Sequence, residues 1–284
     1  MKTISSISNI SSISSRNNSF ISEIVKLKQK KYRVEKNLFY VEGIKLLKDA
    51  VNSDYRHKIK NIIAEENILR NNPEIVNIIN IIKDFDGVTV TAVTKEIYKK
   101  ITDEEAFQGI MCVIEKMPDN IEINYNKPVI ILNSVRDPGN VGTIIRTANA
   151  ICDFDIILSY DCADIYNSKT QRAAMGSVFR QNIKICKNIY SEIANLKKNG
   201  YNIFATYLNK NSRPVDKVNF NDKTAVLFGN EGSGLDEAVI NLCDEKIIIP
   251  INQNSESLNV SVAAGILMWE IRKIIKNKNL TNLM

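Results

Sequence analysis

Short apolar runs alternate with segments of helical periodicity over the second half of the chain. Five of these runs have the length and composition of buried strands: 128–132 (PVIIL), 155–159 (DIILS), 202–206 (NIFAT), 224–228 (TAVLF) and 246–250 (KIIIP). Apolar strands that alternate with helices are typical of a parallel sheet covered by helices on both faces. Ligands of such sheets bind in the loops at the carboxyl ends of the strands, so the chemistry is expected there.

A smaller α/β pattern precedes this region. It predicts short strands over 38–41, 59–64, 88–93 and 110–114, with helices over 43–51 and 73–82. The polar segment 116–127 contains Pro118 and is typical of a linker. We therefore predict four parts: a flexible tail rich in Ser, Asn and Ile (1–19), a small domain (20–115), the linker (116–127) and a larger domain (128–284).

Composition excludes several classes of protein. The 284 residues include five cysteines, an odd number without a CxxC pair, which argues against a disulfide framework and a structural zinc site and favours a cytoplasmic protein. His57 is the only histidine, so a metal site of several imidazoles is impossible. No apolar run reaches the roughly 18 residues of a membrane span, and we expect no membrane association. The net charge of +6 permits a polyanionic partner.

Three predicted strand-end loops carry candidate chemistry. The first holds the turn Asp137-Pro138-Gly139-Asn140 and continues into a helix that contains Arg146. The second, 229–236 (GNEGSGLD), places Glu231 among three glycines, which permit close approach to a ligand. The third is the polar loop 251–259, in which Ser257 and Asn259 are typical helix-start residues. An ordinary strand-turn-helix could explain the first loop, and a tight turn with a solvated glutamate could explain the second. Helix capping could explain one of Ser257 and Asn259, but not the whole polar third loop.

Together, and in this order, the three loops resemble the signature of the SpoU (TrmH) family, within the SPOUT superfamily of RNA methyltransferases. The segments that carry the resemblance are NSVRDPGNVGTIIRTANA, LFGNEGSGL and IIIPINQNSESLNVSVAAG. The resemblance implies a parallel sheet with a deep trefoil knot, a homodimer, and methyl transfer from S-adenosylmethionine to a ribose 2'-hydroxyl of RNA. The pieces KQKKYRVEKNLFYVEG and FQGIMCVIEK are similar to the small substrate-binding domain often attached to this family, which resembles an RNA-binding ribosomal protein. That likeness favours ribosomal RNA over transfer RNA as the substrate.

The resemblance also implies roles for single residues. Arg146 matches the catalytic arginine, and the residues expected to act with it are Asn140, Glu231, Ser257 and Asn259. The residues expected to contact the cofactor are Thr206, Gly229, Ile249 and Leu258. A neutral guanidine is scarce because the pKa of arginine is above about 12. We therefore expect Arg146 to grip a phosphate and stabilise the developing alkoxide, whereas Glu231 can orient a hydroxyl or Asn140, or act as the base.

Basic residues supply candidate RNA contacts. The run 26–36 contains six of them and one acid, and the predicted RNA-binding residues are Lys28, Lys30, Lys31, Arg33 and, further along, Arg172. A solvated helix face is the plain alternative. No metal ligand is predicted.

Two other functions fit parts of the pattern. The chain could be a catalytically inactive RNA-binding protein of the same fold, although the full set of site residues argues against this. A nucleotide-dependent oxidoreductase would also use a parallel sheet, but its GxGxxG motif after the first strand is missing.

Overall fold

The computed structural model describes residues 10–82, 85, 87–118, 121–252 and 254–281. By its internal contacts the chain divides into two units, and the division falls between Met117 and Pro118, inside the predicted linker. The first unit also includes Tyr166–Phe179, which the sequence prediction had placed in the larger domain. Within the described ranges, no helix is both long and apolar enough to cross a membrane.

A five-stranded mixed sheet forms the centre of the first unit. Its strands are β1 (Ile10–Ile13), β2 (Leu38–Glu42), β3 (Ile59–Glu65), β4 (Thr89–Val93) and β5 (Ile110–Glu115), in the order β1-β4-β3-β5-β2. β5 runs antiparallel to both of its neighbours, and the other pairs are parallel. The helices are α1 (Ser19–Lys26), α2 (Lys30–Lys36), α3 (Ile44–Val51), α4 (Glu66–Asn71), α5 (Pro73–Ile82) and α6 (Lys95–Ile101). The predicted small α/β domain is therefore present.

Part of the predicted flexible tail is regular structure. Ile10–Ile13 forms the edge strand β1, in which Ser11 lies opposite Thr91 of β4 and their hydroxyl oxygens are 3.2 Å apart. Asn18 caps α1, because its side-chain oxygen accepts a hydrogen bond from the backbone N–H of Phe20 at 2.9 Å. The prediction of flexibility is corrected for these residues, because Ser11 lies in a strand that pairs with β4 and Asn18 caps a helix. Residues 1–9 lie outside the described part.

The basic run over 26–36 contains a structural arginine. Arg33 is only 3% exposed, and its Nη1 donates to the backbone oxygens of Leu27 and Lys28, both at 2.8 Å. A cation at the end of α1 satisfies carbonyls that the helix itself leaves without donors. The predicted role of Arg33 in RNA binding is therefore corrected, because a guanidinium buried against two carbonyls is not available to a phosphate.

The three lysines of this run that were predicted to bind RNA differ in exposure. The Nζ of Lys28 lies 3.0 Å from a carboxylate oxygen of Asp103 and donates to the carbonyl of Thr102 at 2.8 Å, so this side chain too is engaged in the fold. Lys30 and Lys31 are exposed at the start of α2. Of the four basic residues predicted to bind RNA in this run, these two are the exposed ones.

We expect Arg33→Ala to destabilise the protein by about 2 to 3 kcal/mol, because one buried and one partly buried carbonyl lose a charged donor. Urea denaturation measures this as a fall in the midpoint at unchanged slope. Lys31→Ala on the same helix is the matched control and should change the free energy of unfolding by less than about 0.5 kcal/mol. Equal effects of the two substitutions would contradict the capping role.

The second unit is built on a seven-stranded sheet that is parallel throughout. Its strands are β6 (Val129–Leu132), β7 (Asp155–Ser159), β8 (Ile183–Cys186), β9 (Asn202–Thr206), β10 (Arg213–Pro214), β11 (Thr224–Phe228) and β12 (Glu245–Ile248). The order is β10-β12-β9-β11-β6-β7-β8. Its main helices are α7 (Pro138–Ile151), α9 (Ile189–Lys198), α10 (Glu237–Ile240) and α11 (Val260–Thr281). The predicted parallel sheet is confirmed, whereas the deep trefoil knot stays a prediction.

Two edge strands were not predicted from the sequence. β8 (IKIC) is only partly buried, and its second residue, Lys184, forms an ion pair with Glu192 at 2.7 Å. Because of this lysine, β8 lacks the continuous apolar run of a central strand. β10 has two residues, too few for any periodic signal. The central strands β6, β7 and β11 are buried along their whole length, which explains why their apolar runs could be recognised in the sequence.

The segment Tyr166–Phe179 contains α8 (Ser168–Ala174) and packs within the first unit. The rings of Tyr166 and Phe39 have centroids 4.4 Å apart. Gly176 has a positive φ of 81° and lies against Asp49, with which a Cβ would collide. The predicted RNA contact Arg172 is half-buried on α8, with its Nη1 3.8 Å from a carboxylate oxygen of Glu104.

Candidate active site

A cleft of about 540 Å³ opens at the carboxyl edge of the second sheet. β12, β9 and β11 are neighbours, so the loops that follow them meet there and line the cleft together with the start of α11. Its volume is in the range of small-molecule sites. The four predicted cofactor residues all line it: Thr206, Gly229, Ile249 and Leu258. Three of the predicted catalytic residues line it as well: Glu231, Ser257 and Asn259.

The glycine-rich loop after β11 is a closed turn. Asn230 and Gly234 exchange two backbone hydrogen bonds of 3.0 and 2.9 Å, and Gly234 has a φ of +72°. The side-chain oxygen of Asn230 accepts from the backbone N–H groups of Gly232 and Ser233 at 3.0 and 3.1 Å. A Cβ at Gly229 would collide with the backbone of Gly234. The loop therefore needs glycine at position 229 to close beside the cleft.

Glu231 joins this loop to the loop after β6, the neighbouring strand. Its Oε1 accepts from the side-chain amide of Asn140 at 3.0 Å and from the backbone N–H of Asp137 at 3.1 Å, and its Oε2 accepts from the backbone N–H of Arg136 at 3.2 Å. Desolvation raises the pKa of Glu231, but the hydrogen bonds from Asn140 and from backbone groups outweigh it, so this pKa lies below its usual value. Glu231 is therefore an ionised acceptor at neutral pH.

Asn140 connects Glu231 to the third loop, 251–259, through hydrogen bonds of its side-chain amide. Because ionised Glu231 can only accept, Asn140 must turn its NH₂ group toward it. The Oδ1 of Asn140 then accepts from the Nδ2 of Asn259 at 2.9 Å. The Oδ1 of Asn259 in turn accepts from the backbone N–H of Ser261 at 2.8 Å and caps α11. We call Glu231, Asn140 and Asn259 the amide relay; it ties all three predicted loops into one constellation.

The remaining two catalytic candidates lie near the relay in sequence but are not hydrogen-bonded to it. Ser257 is exposed in the cleft, two residues before Asn259. Arg146 is exposed on α7, whose start is capped by Asp137 through a 2.8 Å bond to the N–H of Asn140. Arg146 does not line the cleft, and among the described residues its guanidinium has no hydrogen-bond or ion-pair partner. Its charge is therefore directed to solvent.

Sequence reasoning missed the supporting groups of the site. Asn230 donates to the backbone oxygen of Ser134 at 2.9 Å, a second cross-link between the loops after β6 and β11. An asparagine within a glycine-rich turn is a usable signal, because its side chain mimics backbone groups. The backbone N–H groups of Arg136 and Asp137 carry no such signal, because every residue type except proline has one. In the part of the chain that the structure describes, no cluster of three or more His, Cys, Asp or Glu residues could hold a metal ion.

Fold and site together define the class of protein. The chain matches the SpoU rRNA Methylase family over residues 127–269, and the MRM3-like substrate binding domain over residues 18–112. It belongs to the SpoU rRNA methylase family. This confirms the resemblance that the three loop motifs and the basic N-terminal segment indicated.

Particular relatives cover nearly the whole chain. The 23S rRNA (guanosine(2553)-2'-O)-methyltransferase RlmP of Bacillus subtilis (strain 168) is 31% identical over 92% of this chain and 98% of its own length. An rRNA methyltransferase from Sinorhizobium meliloti, solved by crystallography, aligns with a TM-score of 0.82 at 30% identity over 93% of this chain and 98% of that one. The AdoMet-bound structure of an rRNA methyltransferase from the same organism aligns with a TM-score of 0.82 at 29% identity, with the same coverage of both chains. Both units of this chain thus have counterparts in these relatives.

We expect Gly229→Ala to weaken binding of S-adenosylmethionine by at least about tenfold, because overpacking against the Gly234 backbone must displace the loop. Isothermal titration calorimetry measures the affinity. Gly232→Ala is the matched control: it lies in the same turn, and the nearest atom to its Cβ would be a side-chain oxygen at 3.6 Å. If both variants bind the cofactor as the unchanged protein does, the tight turn is not part of the cofactor site.

Proposed function

We propose that this chain transfers the methyl group of S-adenosylmethionine to a ribose 2'-hydroxyl of ribosomal RNA in the cytoplasm, where both reactants are found. The observation that carries the proposal is the amide relay at the rim of the cleft, in which three loops from different strands are joined by hydrogen bonds of 2.9 to 3.0 Å. Membership of the SpoU rRNA methylase family supports it. RlmP and the Acinetobacter baylyi enzyme RlmB, 26% identical over 71% of this chain, are both named as 23S rRNA guanosine 2'-O-methyltransferases.

The cleft fits S-adenosylmethionine. Its lining combines apolar side chains such as Leu235, Ile249 and Leu258, which suit an adenine ring, with the exposed backbone of the glycine loop, which suits the polar groups of a nucleoside and an amino acid. The cofactor supplies an activated methyl group on a sulfonium when it is bound. The AdoMet-bound rRNA methyltransferase of Sinorhizobium meliloti supports this assignment.

The residues in and around the cleft are suited to different roles in methyl transfer. Arg146, exposed and without a partner among the described residues, is suited to hold a phosphate of the substrate and to stabilise negative charge on the ribose oxygen. Glu231 is a poor base, since its pKa is lowered and its oxygens already accept several hydrogen bonds. We infer that Glu231 orients Asn140, and that the proton of the hydroxyl leaves to water or to a nearby phosphate. Ser257 is suited to contact cofactor or ribose from within the cleft.

Ribosomal RNA is the favoured substrate because of the first unit. The Escherichia coli tRNA (guanosine(18)-2'-O)-methyltransferase is 30% identical but covers only 52% of this chain, whereas RlmP covers 92%. Residues 18–112 match the MRM3-like substrate binding domain, and most of this range must fall within the 92% of the chain that RlmP covers. We propose Lys30 and Lys31, exposed on α2, as phosphate contacts of that unit.

We also propose that the protein acts as a homodimer. Val262 and Trp269 are 50% and 47% exposed, and their spacing of seven places them on one face of α11. Trp269→Glu should shift the mass in sedimentation velocity from dimer toward monomer, because a charge would enter an apolar contact. Val34→Glu, at a valine of α2 that is 53% exposed, is the control and should leave the mass unchanged. A dimer that persists in Trp269→Glu would remove this face from the interface.

The test of the activity is methyl transfer from labelled S-adenosylmethionine to total RNA of cells that lack the gene, followed by mapping of 2'-O-methyl positions. We expect label at a ribose of ribosomal RNA. Cofactor binding without transfer to any RNA, including assembly intermediates of the ribosome, would instead favour the inactive RNA-binding protein. If a titration with a nicotinamide dinucleotide shows no binding, the oxidoreductase is excluded, and only the methyltransferase and the inactive RNA-binding protein remain.

A further inference from the structure

A second polar cluster lies beside the amide relay, at the carboxyl ends of β6 and β7. The two carboxylate oxygens of Asp161 accept hydrogen bonds from the hydroxyls of Ser159 and Ser134 at 2.6 and 2.5 Å. The backbone N–H of Ser134 donates to the Ser159 hydroxyl at 2.8 Å, and Ser134 has a φ of +61°, which few residues other than glycine adopt. These contacts lock the two strand ends together and hold the chain on either side of Tyr160.

Arg136 extends from this cluster. Its Nη2 is 3.7 Å from a carboxylate oxygen of Asp161, yet its side chain is 71% exposed. Burial raises the pKa of Asp161, but the hydrogen bonds from Ser134 and Ser159 and the charge of Arg136 lower it below the usual value, so the carboxylate is ionised. The backbone N–H of the same arginine donates to Glu231 of the relay. The guanidinium is thus anchored next to the active site while most of its surface faces solvent.

Tyr160 presents an aromatic ring at the same edge. It is 56% exposed, directly after the buried Ser159, and both of its neighbours are engaged in the hydrogen bonds described above. Tyr160 precedes Asp161, whose carboxylate lies 3.7 Å from the guanidinium of Arg136. An exposed ring and an exposed arginine anchored on one sheet edge are typical of surfaces that bind single-stranded RNA, because bases stack on the ring and the guanidinium binds phosphate.

We propose that Tyr160 and Arg136 form a nucleotide platform, on which an unpaired base of the RNA stacks against the Tyr160 ring and an adjacent phosphate binds Arg136. The identity of this ligand rests on the proposed function. An RNA methyltransferase must hold an unstacked nucleotide at this edge, because the reacting ribose oxygen has to reach a methyl group in the neighbouring cleft. The exposed positive charge of Arg136 favours RNA over a protein contact at this surface.

The platform is tested by fluorescence anisotropy with a fluorescein-labelled oligoadenosine single strand. We expect Tyr160→Ala to weaken binding by about tenfold, whereas Tyr160→Phe stays within about twofold because the ring remains. Arg136→Ala should also weaken binding by about tenfold and lower the salt-dependence slope by about one. Tyr190→Ala is the matched control, since Tyr190 is 46% exposed on α9 of the same unit and should not affect binding. The affinity of Tyr160→Ala for S-adenosylmethionine should be unchanged.

Three results overturn the platform: unchanged oligoadenosine affinity in Tyr160→Ala, an equal loss in Tyr190→Ala, or a change of oligomeric state in Tyr160→Ala with RNA affinity intact, which assigns the ring to a protein interface. Methyl transfer is measured separately. If the unchanged protein methylates no RNA while Tyr160→Ala still loses oligoadenosine binding, the proposed activity is wrong and the platform stands. If the protein methylates RNA and Tyr160→Ala binds and turns over normally, the activity stands and the platform is wrong.

Discussion

Arg146→Ala is expected to reduce kcat for methyl transfer by at least about 10²-fold, the usual loss when one donor to a developing oxyanion is removed. Arg146 is exposed on α7, and its neighbours Ile144, Ile145 and Ala148 are buried, so the substitution should leave the fold intact. Single-turnover transfer of labelled methyl groups to RNA measures the rate. The affinity for S-adenosylmethionine should stay unchanged, because Arg146 does not line the cleft.

Arg146→Lys sharpens this test. It keeps the charge and loses the planar fork that binds phosphate in a bidentate manner, so we expect it to lose most of the activity as well. Arg213→Ala is the control, since Arg213 is an exposed arginine of the same unit whose Nη1 pairs with Glu245 at 3.1 Å. Near-normal turnover in Arg146→Lys would show that charge alone suffices, and near-normal turnover in Arg146→Ala would remove Arg146 from the mechanism.

Glu231→Gln is expected to lower kcat by about 10²-fold, because one amide oxygen cannot replace a carboxylate that accepts from Asn140 and two backbone N–H groups. The NH₂ group of glutamine would face donors, and the orientation of Asn140 toward Asn259 would be lost. Glu237→Gln, at an exposed glutamate of α10, is the matched control. A Gln variant as active as the unchanged protein would show that the relay is not needed.

The pH dependence separates positioning from base catalysis. Because the pKa of Glu231 is lowered in the folded protein, its stabilising contribution is present above the unfolded value of about 4.3 and is lost as the pH falls through the folded value. Glu231 stays ionised between about pH 6 and pH 8, so we expect its titration to cause no change in the rate of methyl transfer over this range. A limb near neutrality that disappears in Glu231→Gln would mean that Glu231 acts as a base.

Much of the second unit could be predicted because its signals are local. Apolar runs identified the central strands, and the helix that contains Arg146 was predicted. The helix α7 begins at Pro138, however, inside the segment 137–140 that had been predicted as a turn. The basic run was misleading for the same reason: spacing shows where a charge lies along a helix, but not that Arg33 turns inward to the carbonyls of Leu27 and Lys28. The two serines and two isoleucines of β1 are too short a run to predict a strand, because an edge strand gains its order from pairing with its neighbour, here β4.

The sequence by itself determined the family, the parallel sheet and the three loops in which the site would lie, because turn residues and apolar runs act over a few neighbouring positions. Only the tertiary structure decided how these loops meet. The strand order sets β6 beside β11, so that Glu231 reaches Asn140 across 91 positions of the chain, and Asn140 reaches Asn259 across 119. Such contacts depend on which strands pair over long distances in the chain, and no local pattern of side chains can encode that pairing.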